Sequence, residues 1–530
     1  MKLRHLLRVA ISLVLLLLFA AHVYGRMPFR LLDKMEDYAY DARLRLTMPA
    51  TLDPRIVIVD VDDQSLREQG QWPWPRDKLA GLVTKLFDRY HVRLVAFDVM
   101  FSEPDRSLDL ALLDQLAAGP LKSDPAFQKA ARTLRPQLER DRIFAASLQH
   151  RPAILGYVFS GRGNFTESGS SGRLPSPAIT DVGARYPAVE FPQAVAYTGN
   201  LPVLADAAAG QGFYSNPYVD ADGSFRRIGL LEEYRGNLYA SLDLAVLQLL
   251  AGKAPLGFVF DTPVHDNADL DDIRIGDYRI PVDRHMAALV PYRGYVRSFP
   301  YVSAADVIEG KASRSILQNA IVYIGSSAAA EGDLRSTPVG AVFPGVEVHA
   351  NFLSGVLDGR VKNAQPQYAR GAQLLLLFML AAVVIWVTMS RSILMSSAVT
   401  LALVVLITAG NLLLWQYGNF VFPLASPLLF LVVLFVLLSL YGYFIESRGK
   451  RHLSRMFSQY IPPQLVAEMD AQQGAYSMES DSRELTVMFA DVRDFISISE
   501  GLGPRELSRL MNEYLTGMTR AIHTHRGTID

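Results

Sequence analysis

The segment RIVIVDVDD, residues 55–63, is a short apolar run that ends in acidic residues. This pattern predicts a buried β-strand followed by its C-terminal turn. Residues 77–90 then carry apolar side chains at helical spacing behind Pro75, and VRLVAFDV at 92–99 predicts a second strand. A strand, a helix and a strand at this spacing predict a βαβ unit. We therefore expect an α/β domain with a parallel strand pair in a covered sheet.

Four aspartates follow these predicted strands. They are Asp60, Asp62, Asp63 and Asp98. Open α/β sheets bind ligands at the carboxyl ends of their strands, so the four form a candidate site for a metal or a polar ligand. Turn formation and helix capping are the alternative, because aspartate suits both.

Two other features of the same region favour structural roles. DADG at 220–223 is similar to the start of a calcium loop, but the EF-hand spacing with its closing glutamate is absent, so we expect a hairpin turn. His349 is one of 10 histidines, and we expect it to be a hydrogen-bonded structural residue rather than a ligand.

Composition excludes several classes of protein. The chain has 530 residues, a formal net charge of −1 and no cysteine. Disulfides, thiol catalysis and cysteine-based zinc sites are therefore excluded. The balanced charge gives no basic field that would attract nucleic acid.

Four apolar segments are long enough to cross a membrane and to contact lipid. They are residues 9–25, 371–390, 392–415 and 423–445. Residues 392–445 contain no Asp, Glu, Lys, Arg or His, which fits two spans of about 20 residues each joined by a turn at 416–423. Buried core helices are the alternative for these later segments. The first segment is either a signal peptide or a retained anchor, and the poor cleavage site HVYGR at 22–26 favours the anchor.

Charge near the spans predicts the topology. Lys2, Arg4 and Arg8 precede the first span, and a second basic cluster follows the last one. The positive-inside rule then places residues 1–8 and the linker 446–475 in the cytoplasm, with residues 27–369 outside. The linker is expected to extend the last membrane helix as a rigid transducer. A basic anchor at the membrane edge is the alternative.

The most specific chemical pattern is ELTVMFADVRDFISISE, residues 484–500, which we call the C-terminal motif. Residues 485–489 predict a strand that ends at Asp491. A carboxylate in this position suits a divalent cation that carries a nucleotide phosphate. A helix with apolar residues between Leu507 and Ile522 is expected after it.

Residues 35–360 resemble the second type of CHASE domain. The matching pieces, in order, are IVIVDVDDQSL, WPWPR, VAFDVMFSEPD, DADGSFRR, AIVYIGSSAA, STP and PGVEVHANFL. The resemblance implies a bacterial extracytoplasmic sensory domain with an α/β fold, followed by three membrane helices. It places the protein in the bacterial inner membrane and implies an extracytoplasmic stimulus of unknown identity.

Residues 481–530 resemble the start of a class III nucleotide cyclase domain, an α+β ferredoxin-like fold. FADVRDF, NEY and HTHRGTID occur in the family's order. The resemblance implies an adenylate cyclase, a phosphorus–oxygen lyase that converts ATP to cyclic AMP and pyrophosphate, acting as a homodimer. It assigns two Mg²⁺ or Mn²⁺ ions to Asp491 and the Val492 carbonyl. It assigns the nucleotide phosphates to backbone N–H groups at Asp494, Phe495 and Ile496.

The resemblance also has departures. Ile496 stands where threonine is frequent, and the family's second metal aspartate is expected several residues after Asp530. We therefore expect the chain by itself to lack cyclase activity, and ATP is favoured over GTP by family frequency alone. The alternatives are a non-catalytic membrane sensor that dimerises with a complete cyclase and regulates it, and an Asp491 that merely caps a structural turn.

Overall fold

A computed structural model describes most of the chain. It describes all residues except 1, 106–107, 162–168, 187–188, 190, 261–269, 284, 329–333, 365–367, 391–392, 458–483, 485, 526, 528 and 530. The chain divides into two compact units, which are described separately. The large unit comprises Leu13–Val383 and Ala398–Leu431, and the small unit comprises Met1–Ser12, Val384–Ser397 and Val432–Asp530.

The described part of the chain contains both strands and helices, and several strands follow one another without an intervening helix. The strands are β1 (Ile56–Asp60), β2 (Leu94–Phe97), β3 (Ala153–Ser160), β4 (Ala196–Thr198), β5 (Gly210–Phe213), β6 (Arg227–Gly229), β7 (Leu231–Tyr234), β8 (Asn237–Ala240), β9 (Leu256–Phe260), β10 (Leu270–Ile275), β11 (Tyr278–Pro281), β12 (Ala287–Leu289), β13 (Tyr301–Ser303), β14 (Ile321–Gly325), β15 (Leu334–Thr337) and β16 (Gly340–Pro344). The helices are α1 (Lys2–Val23), α2 (Arg30–Thr47), α3 (Asp63–Gln69), α4 (Arg76–Thr84), α5 (Leu108–Ala118), α6 (Pro125–Leu138), α7 (Arg140–Leu148), α8 (Val182–Arg185), α9 (Pro202–Ala207), α10 (Leu242–Leu250), α11 (Ala304–Glu309), α12 (Arg314–Leu317), α13 (Gly345–Leu357), α14 (Ala369–Ser390), α15 (Ile393–Tyr417), α16 (Ala425–Phe457), α17 (Phe495–Glu500) and α18 (Pro504–Thr524).

The centre of the large unit is a seven-stranded sheet. Its order is β13-β1-β14-β2-β3-β4, with β5 also paired to β3, and all of its pairs are parallel except β3 with β4. The mixed α/β fold is therefore confirmed. The predicted pairing of the first two strands is wrong, because β14 lies between them. An α-helix is about 10 Å wide and strands are about 4.8 Å apart, so the connecting helix readily crosses two strand positions.

Both faces of the sheet are buried. Val57, Val59 and Val95 point to one apolar cluster, which includes residues of α4, whereas Ile56 and Ile58 point to another, which includes residues of α13. Every residue of β1 and β2 is buried. Burial on both faces explains why these strands have continuous apolar sequences rather than alternating ones.

Four helices are long and apolar enough to cross a membrane. Their candidate spans are Leu6–Val23, Ala369–Met389, Ile393–Tyr417 and Ala425–Phe444. The last of these, α16, continues without interruption to Phe457 and has 33 residues. It is about 50 Å long, whereas the apolar core of a bilayer is about 30 Å thick. The helix therefore extends well beyond its apolar segment into the predicted linker, whose remaining residues, 458–475, lie outside the described part of the chain.

Candidate functional site

The C-terminal motif is exposed and has no strand in its described part. Residues 486–490 are all exposed and form no ladder with any described residue. The predicted strand at 485–489 is therefore wrong for residues 486–489, and Leu485 lies outside the described residues. A strand needs neighbours that pair with its N–H and C=O groups, and no described segment of the small unit supplies them.

Asp491 is exposed at the end of this segment. Its Oδ1 accepts the backbone N–H of Val492, with an N···O distance of 2.8 Å. The rest of the carboxylate and the Val492 carbonyl are oxygen ligands of the kind that Mg²⁺ prefers. Among the described residues, no group of three or more His, Cys, Asp or Glu side chains could hold a metal ion. Asp491 is therefore not part of a complete metal-ligand set among the described residues.

The predicted phosphate-binding turn leads into a short helix. Asp494 has a left-handed backbone conformation, with φ of 56°, and immediately precedes α17. Phe495 and Ile496 form the first turn of that helix, and their side chains are 38% and 72% exposed. The structure thus places the three residues predicted to bind phosphate next to each other and accessible to solvent.

The helix expected after the motif is present as α18. It begins at Pro504 and ends at Thr524, and none of its residues is buried. Leu510, Tyr514 and Leu515 are between 38% and 51% exposed. Because these apolar residues recur at helical spacing, α18 has an apolar side that no described residue covers.

The four aspartates predicted at the strand ends have different environments. Asp60 is buried, and Ser327 donates both its backbone N–H (2.8 Å) and its hydroxyl (2.5 Å) to the carboxylate. Asp62 caps α3 by accepting the N–H of Ser65 at 2.8 Å. Asp63 lies in the first turn of α3 and is exposed. Asp60 and Asp62 therefore have structural roles, in agreement with the alternative of turn formation and helix capping.

Burial has an electrostatic effect on Asp60. It raises the pKa of the Asp60 carboxyl above its ordinary value, while the two hydrogen bonds from Ser327 act in the opposite direction. The net direction is upward because transfer of a carboxylate out of water disfavours its charged form. A group that is tied to Ser327 in this way is poorly placed to bind an external ligand.

Asp98 lines a pocket. This carboxyl-edge pocket has a volume of about 450 Å³ and lies beside the carboxyl ends of β1, β2 and β14. Its lining also includes Arg76, Arg335, Tyr214 and Ser326. The Arg76 guanidinium lies 4.5 Å from the centroid of the Phe101 ring and 3.5 Å from Asp141 Oδ1. The pocket combines charges of both signs with aromatic surface, which suits a small polar ligand.

A buried polar network adjoins Asp98 and was not expected from the sequence. Asp243 accepts a hydrogen bond from the Tyr323 hydroxyl at 2.8 Å, and its other oxygen lies 2.7 Å from His349 Nδ1. His349 Nε2 is 3.8 Å from Asp98 Oδ1, and the His349 ring stacks on Tyr323. His349 is thus buried and paired, as the sequence-based prediction of a structural histidine requires. Its partners are distant in the chain, so no local pattern indicated the network.

DADG at 220–223 forms a turn that holds an arginine. Gly223 N–H donates to the Asp220 carbonyl at 2.8 Å. The buried Arg226 side chain contacts Asp220 at 2.9 Å, Asp222 at 2.7 Å and Asp41 of α2 at 2.8 Å. The aspartates of this turn therefore neutralise an arginine, which agrees with a turn rather than a calcium loop.

The family model described as the CHASE2 domain matches residues 10–389, well over half of the chain. The chain belongs to the CHASE2 domain family. The match begins inside α1 and ends inside α14, so it includes the whole central sheet, the carboxyl-edge pocket and the Asp243 network. The resemblance to the second type of CHASE domain is confirmed.

Two curated relatives match a shorter part of this CHASE2 protein. An adenylate cyclase from Anabaena cylindrica is 34% identical over 77 residues, which are 14% of this chain and 15% of that protein. Adenylate cyclase 1 from Rhizobium meliloti is 35% identical over 74 residues, 14% of this chain and 11% of that protein. The aligned stretches thus span a small fraction of each relative. No solved structure matches the chain.

Proposed function

We propose that this chain belongs to a membrane receptor-type adenylate cyclase, in which the CHASE2 domain controls conversion of ATP to cyclic AMP and pyrophosphate. The observation that carries the proposal is the presence in one chain of a CHASE2 domain and of similarity to adenylate cyclases. The CHASE2 domain would act as the sensor and the C-terminal motif as the start of the catalytic domain.

The proposed topology places these two parts on opposite sides of the bacterial inner membrane. Four spans put the N-terminus and the C-terminal motif inside and residues 27–369 outside, in agreement with the positive residues near α1 and α16. Reporter fusions at residues 200 and 460 test this arrangement. We expect the first to report the periplasm and the second the cytoplasm, and matching compartments would contradict it.

The helix α16 supports a mechanical link between the two sides. It continues from Ala425 to Phe457 without a break, although its apolar span ends at Phe444. A continuous helix transmits a shift or rotation along its axis, because its backbone hydrogen bonds resist bending. We propose that changes in the CHASE2 domain reach the catalytic domain along this helix.

The residues of the C-terminal motif fit a role in metal and nucleotide binding. Asp491 and the Val492 carbonyl would hold Mg²⁺ or Mn²⁺ as oxygen ligands, and the backbone N–H groups from Asp494 to Ile496 would bind phosphate. The ions, when bound, would neutralise the triphosphate and favour ionisation of the ribose 3′-hydroxyl. The exposure of Asp491 leaves its carboxylate accessible to the nucleotide.

The stimulus would bind in the carboxyl-edge pocket. Asp98 lines this pocket beside the strand ends, together with Arg76 and Arg335. Asp98 is also 3.8 Å from His349, which belongs to α13. A ligand that contacts Asp98 would therefore act close to a helix that precedes the second apolar segment.

Expression in a cyclase-deficient bacterial host tests the enzymatic proposal. We expect the complete gene product to produce cyclic AMP, and its Asp491→Asn variant to produce far less. Absence of cyclic AMP from a folded, membrane-inserted complete gene product would contradict the enzymatic proposal.

A second candidate function is that of a non-catalytic sensor that dimerises with a complete cyclase. The apolar side of α18 favours it, since Leu510, Tyr514 and Leu515 are left for another protein surface to cover. Co-expression of residues 1–530 with a complete class III cyclase distinguishes the two functions. A regulatory sensor changes the cyclic AMP made by its partner, whereas an inert fragment does not.

A further inference from the structure

A second pocket lies where the end of α15 meets the α/β domain within the large unit. This Lys362 pocket has a volume of about 260 Å³. It is bounded by α2, by the loop after α13 and by the residues that follow α15. Its lining includes Tyr40, Met48, Arg360, Lys362, Gln416 and Asn419. The pocket therefore lies at one end of a candidate membrane span and has both apolar and cationic walls.

Beside the pocket, two cations contact one buried tryptophan. Trp415 is fully buried, and its Nε1 donates to the Thr47 hydroxyl at 2.6 Å. Lys362 Nζ lies 4.6 Å from the centroid of the Trp415 ring and donates to the Trp415 carbonyl at 2.6 Å. The Arg43 guanidinium carbon lies 5.0 Å from the same centroid. The tryptophan holds two positive charges close to each other, because cations bind to the face of an aromatic ring.

These cations have neutral hydrogen-bond partners. Arg43 donates to the side chain of Asn411 at 2.5 Å and to the carbonyl of Phe422 at 2.9 Å. Lys362 donates to Asn419 Oδ1 at 3.3 Å in addition to the Trp415 carbonyl. Among the residues that the structure describes, neither side chain has a carboxylate within ion-pair distance.

The nearest carboxylates interact with other groups as well. Asp358, which lines the pocket, contacts Arg55 and Arg293, each at 2.6 Å. Glu36 accepts the backbone N–H groups of Leu424 (2.9 Å) and Ser426 (3.0 Å). The half-buried Arg360 is, with Lys362, the second cation of the described pocket lining, and it too has no ion-pair partner in the described part of the chain. Among the described lining residues, two cations, Arg360 and Lys362, stand against the single carboxylate of Asp358, which Arg55 and Arg293 also contact, so positive charge exceeds negative charge in the lining.

Burial and the neighbouring positive charges both act on Lys362. Burial lowers the pKa of its ammonium group to about 8, and the charges of Arg360 and Arg43 act in the same direction. Burial and the charge of Arg293 likewise lower the pKa of Arg360, while the charge of Asp358 acts in the opposite direction. Cations that are partly buried and close together destabilise the folded state unless an anion compensates them.

We propose that the Lys362 pocket binds a phosphate-bearing anion. Lysine and arginine together recognise phosphate, the first as a point charge and the second through its planar donors. The position at the end of a membrane span fits the phosphate of an anionic lipid headgroup, because basic pockets beside membrane helices bind such headgroups. A soluble phosphate ester would present the same chemistry. The inference concerns binding and stands independently of cyclase activity.

The test uses the full chain purified in an uncharged detergent. The probes are dihexanoyl phosphatidylglycerol, the matching dihexanoyl glycerol without phosphate, and inorganic phosphate. Binding is followed by tryptophan fluorescence and by the thermal unfolding midpoint at constant ionic strength. The variants are Lys362→Met and Arg360→Gln, and the matched controls are Lys122→Met and Arg274→Gln, at exposed positions away from the pocket.

We expect saturable binding of phosphatidylglycerol by the wild type and by both controls, and none of dihexanoyl glycerol. Loss of one charged hydrogen-bond donor should weaken binding at least about tenfold in Lys362→Met or Arg360→Gln. Binding of the lipid alone would identify a headgroup, and saturable binding of inorganic phosphate as well would show that the phosphate group suffices.

Two results would overturn the proposal. One is the absence of saturable binding of either phosphate probe. The other is equal binding by pocket variants and controls, since a general stabilisation by phosphate salts would affect all proteins alike. Circular dichroism checks that each variant folds. If Lys362→Met does not fold, the comparison of Arg360→Gln with its control Arg274→Gln decides the test.

Discussion

Asp60 and Asp491 both end an apolar segment, but the two segments have different structures. Residues 56–60 form β1, which pairs with β13 on one side and β14 on the other and is entirely buried. Residues 486–490 are exposed and form no strand. An apolar run therefore predicts a strand only where other segments supply pairing partners for its backbone.

The same difference decides what each carboxylate can do. Asp60 is held by two hydrogen bonds from Ser327, whereas Asp491 contacts only the N–H of Val492 among the described residues. A buried polar group must have partners, and those partners leave it unavailable to a ligand. An exposed carboxylate adds little to stability and stays accessible. The two carboxylates therefore differ in accessibility, although each follows an apolar segment.

The largest expected effect concerns Asp491. Under the proposed function, Asp491→Asn in the complete gene product should lower cyclic AMP production at least about 100-fold, because it removes a carboxylate ligand of the metal ions that would neutralise the triphosphate. The thermal midpoint should stay unchanged, since the side chain is exposed. Cyclic AMP is measured in a cyclase-deficient host, with Glu500→Gln as the control. Normal production by Asp491→Asn would show that the motif does not bind the catalytic metal.

The next largest effect should come from a fully buried aspartate. Asp243→Ala leaves the Tyr323 hydroxyl and His349 Nδ1 without their partner. We expect a loss of about 3–5 kcal/mol in the free energy of unfolding, since buried groups that lose an acceptor keep the full cost of desolvation. Thermal unfolding of the purified chain measures it, with the exposed Glu68→Ala as the control. A midpoint equal to that of the control would exclude a structural role for the network.

The sequence predicted the sheet better than it predicted these contacts. The runs around Ile58 and Val95 indicate buried strands because both faces of the sheet are covered, and local composition carries that information. The strand order depends on β14, which follows β2 by more than 200 residues in the chain. In the sheet, β14 pairs with β1 on one side and with β2 on the other. The contact between Asp243 and His349 joins residues 106 positions apart. Such contacts are consequences of the completed fold, so neither spacing nor composition indicates them.

A buried glutamate should reveal itself through pH. Glu232 is 4% exposed, and burial raises the pKa of its carboxyl to about 8 from an ordinary value of 4.5. The folded state then binds more protons than the unfolded state between these values, so stability falls as pH rises through that window. Glu232→Gln should match the wild type near pH 4.5 and be more stable by about 2–4 kcal/mol near pH 8.

The unfolding midpoint against pH measures this effect, with Glu233→Gln as the neighbouring control. Glu233 accepts a hydrogen bond from Gln193, and this hydrogen bond is exposed to solvent. Substitution of Glu233 should therefore shift the plot of unfolding midpoint against pH without changing its slope. Parallel curves for Glu232→Gln and wild type would mean that Glu232 is charged in the folded protein.

The smallest effect is expected at Asp60, and it tests the comparison directly. Because burial raises the pKa of Asp60, an uncharged Asn that still accepts the Ser327 N–H should cost less than about 1 kcal/mol, whereas Asp60→Ala should cost about 1–3 kcal/mol. Thermal unfolding measures both variants.

Under the proposed function, Asp60→Asn should also leave stimulated cyclic AMP production unchanged, while Asp98→Asn in the carboxyl-edge pocket should alter it. If Asp60→Asn abolished the response without lowering the unfolding midpoint, Asp60 would be part of the sensory site despite its internal hydrogen bonds from Ser327.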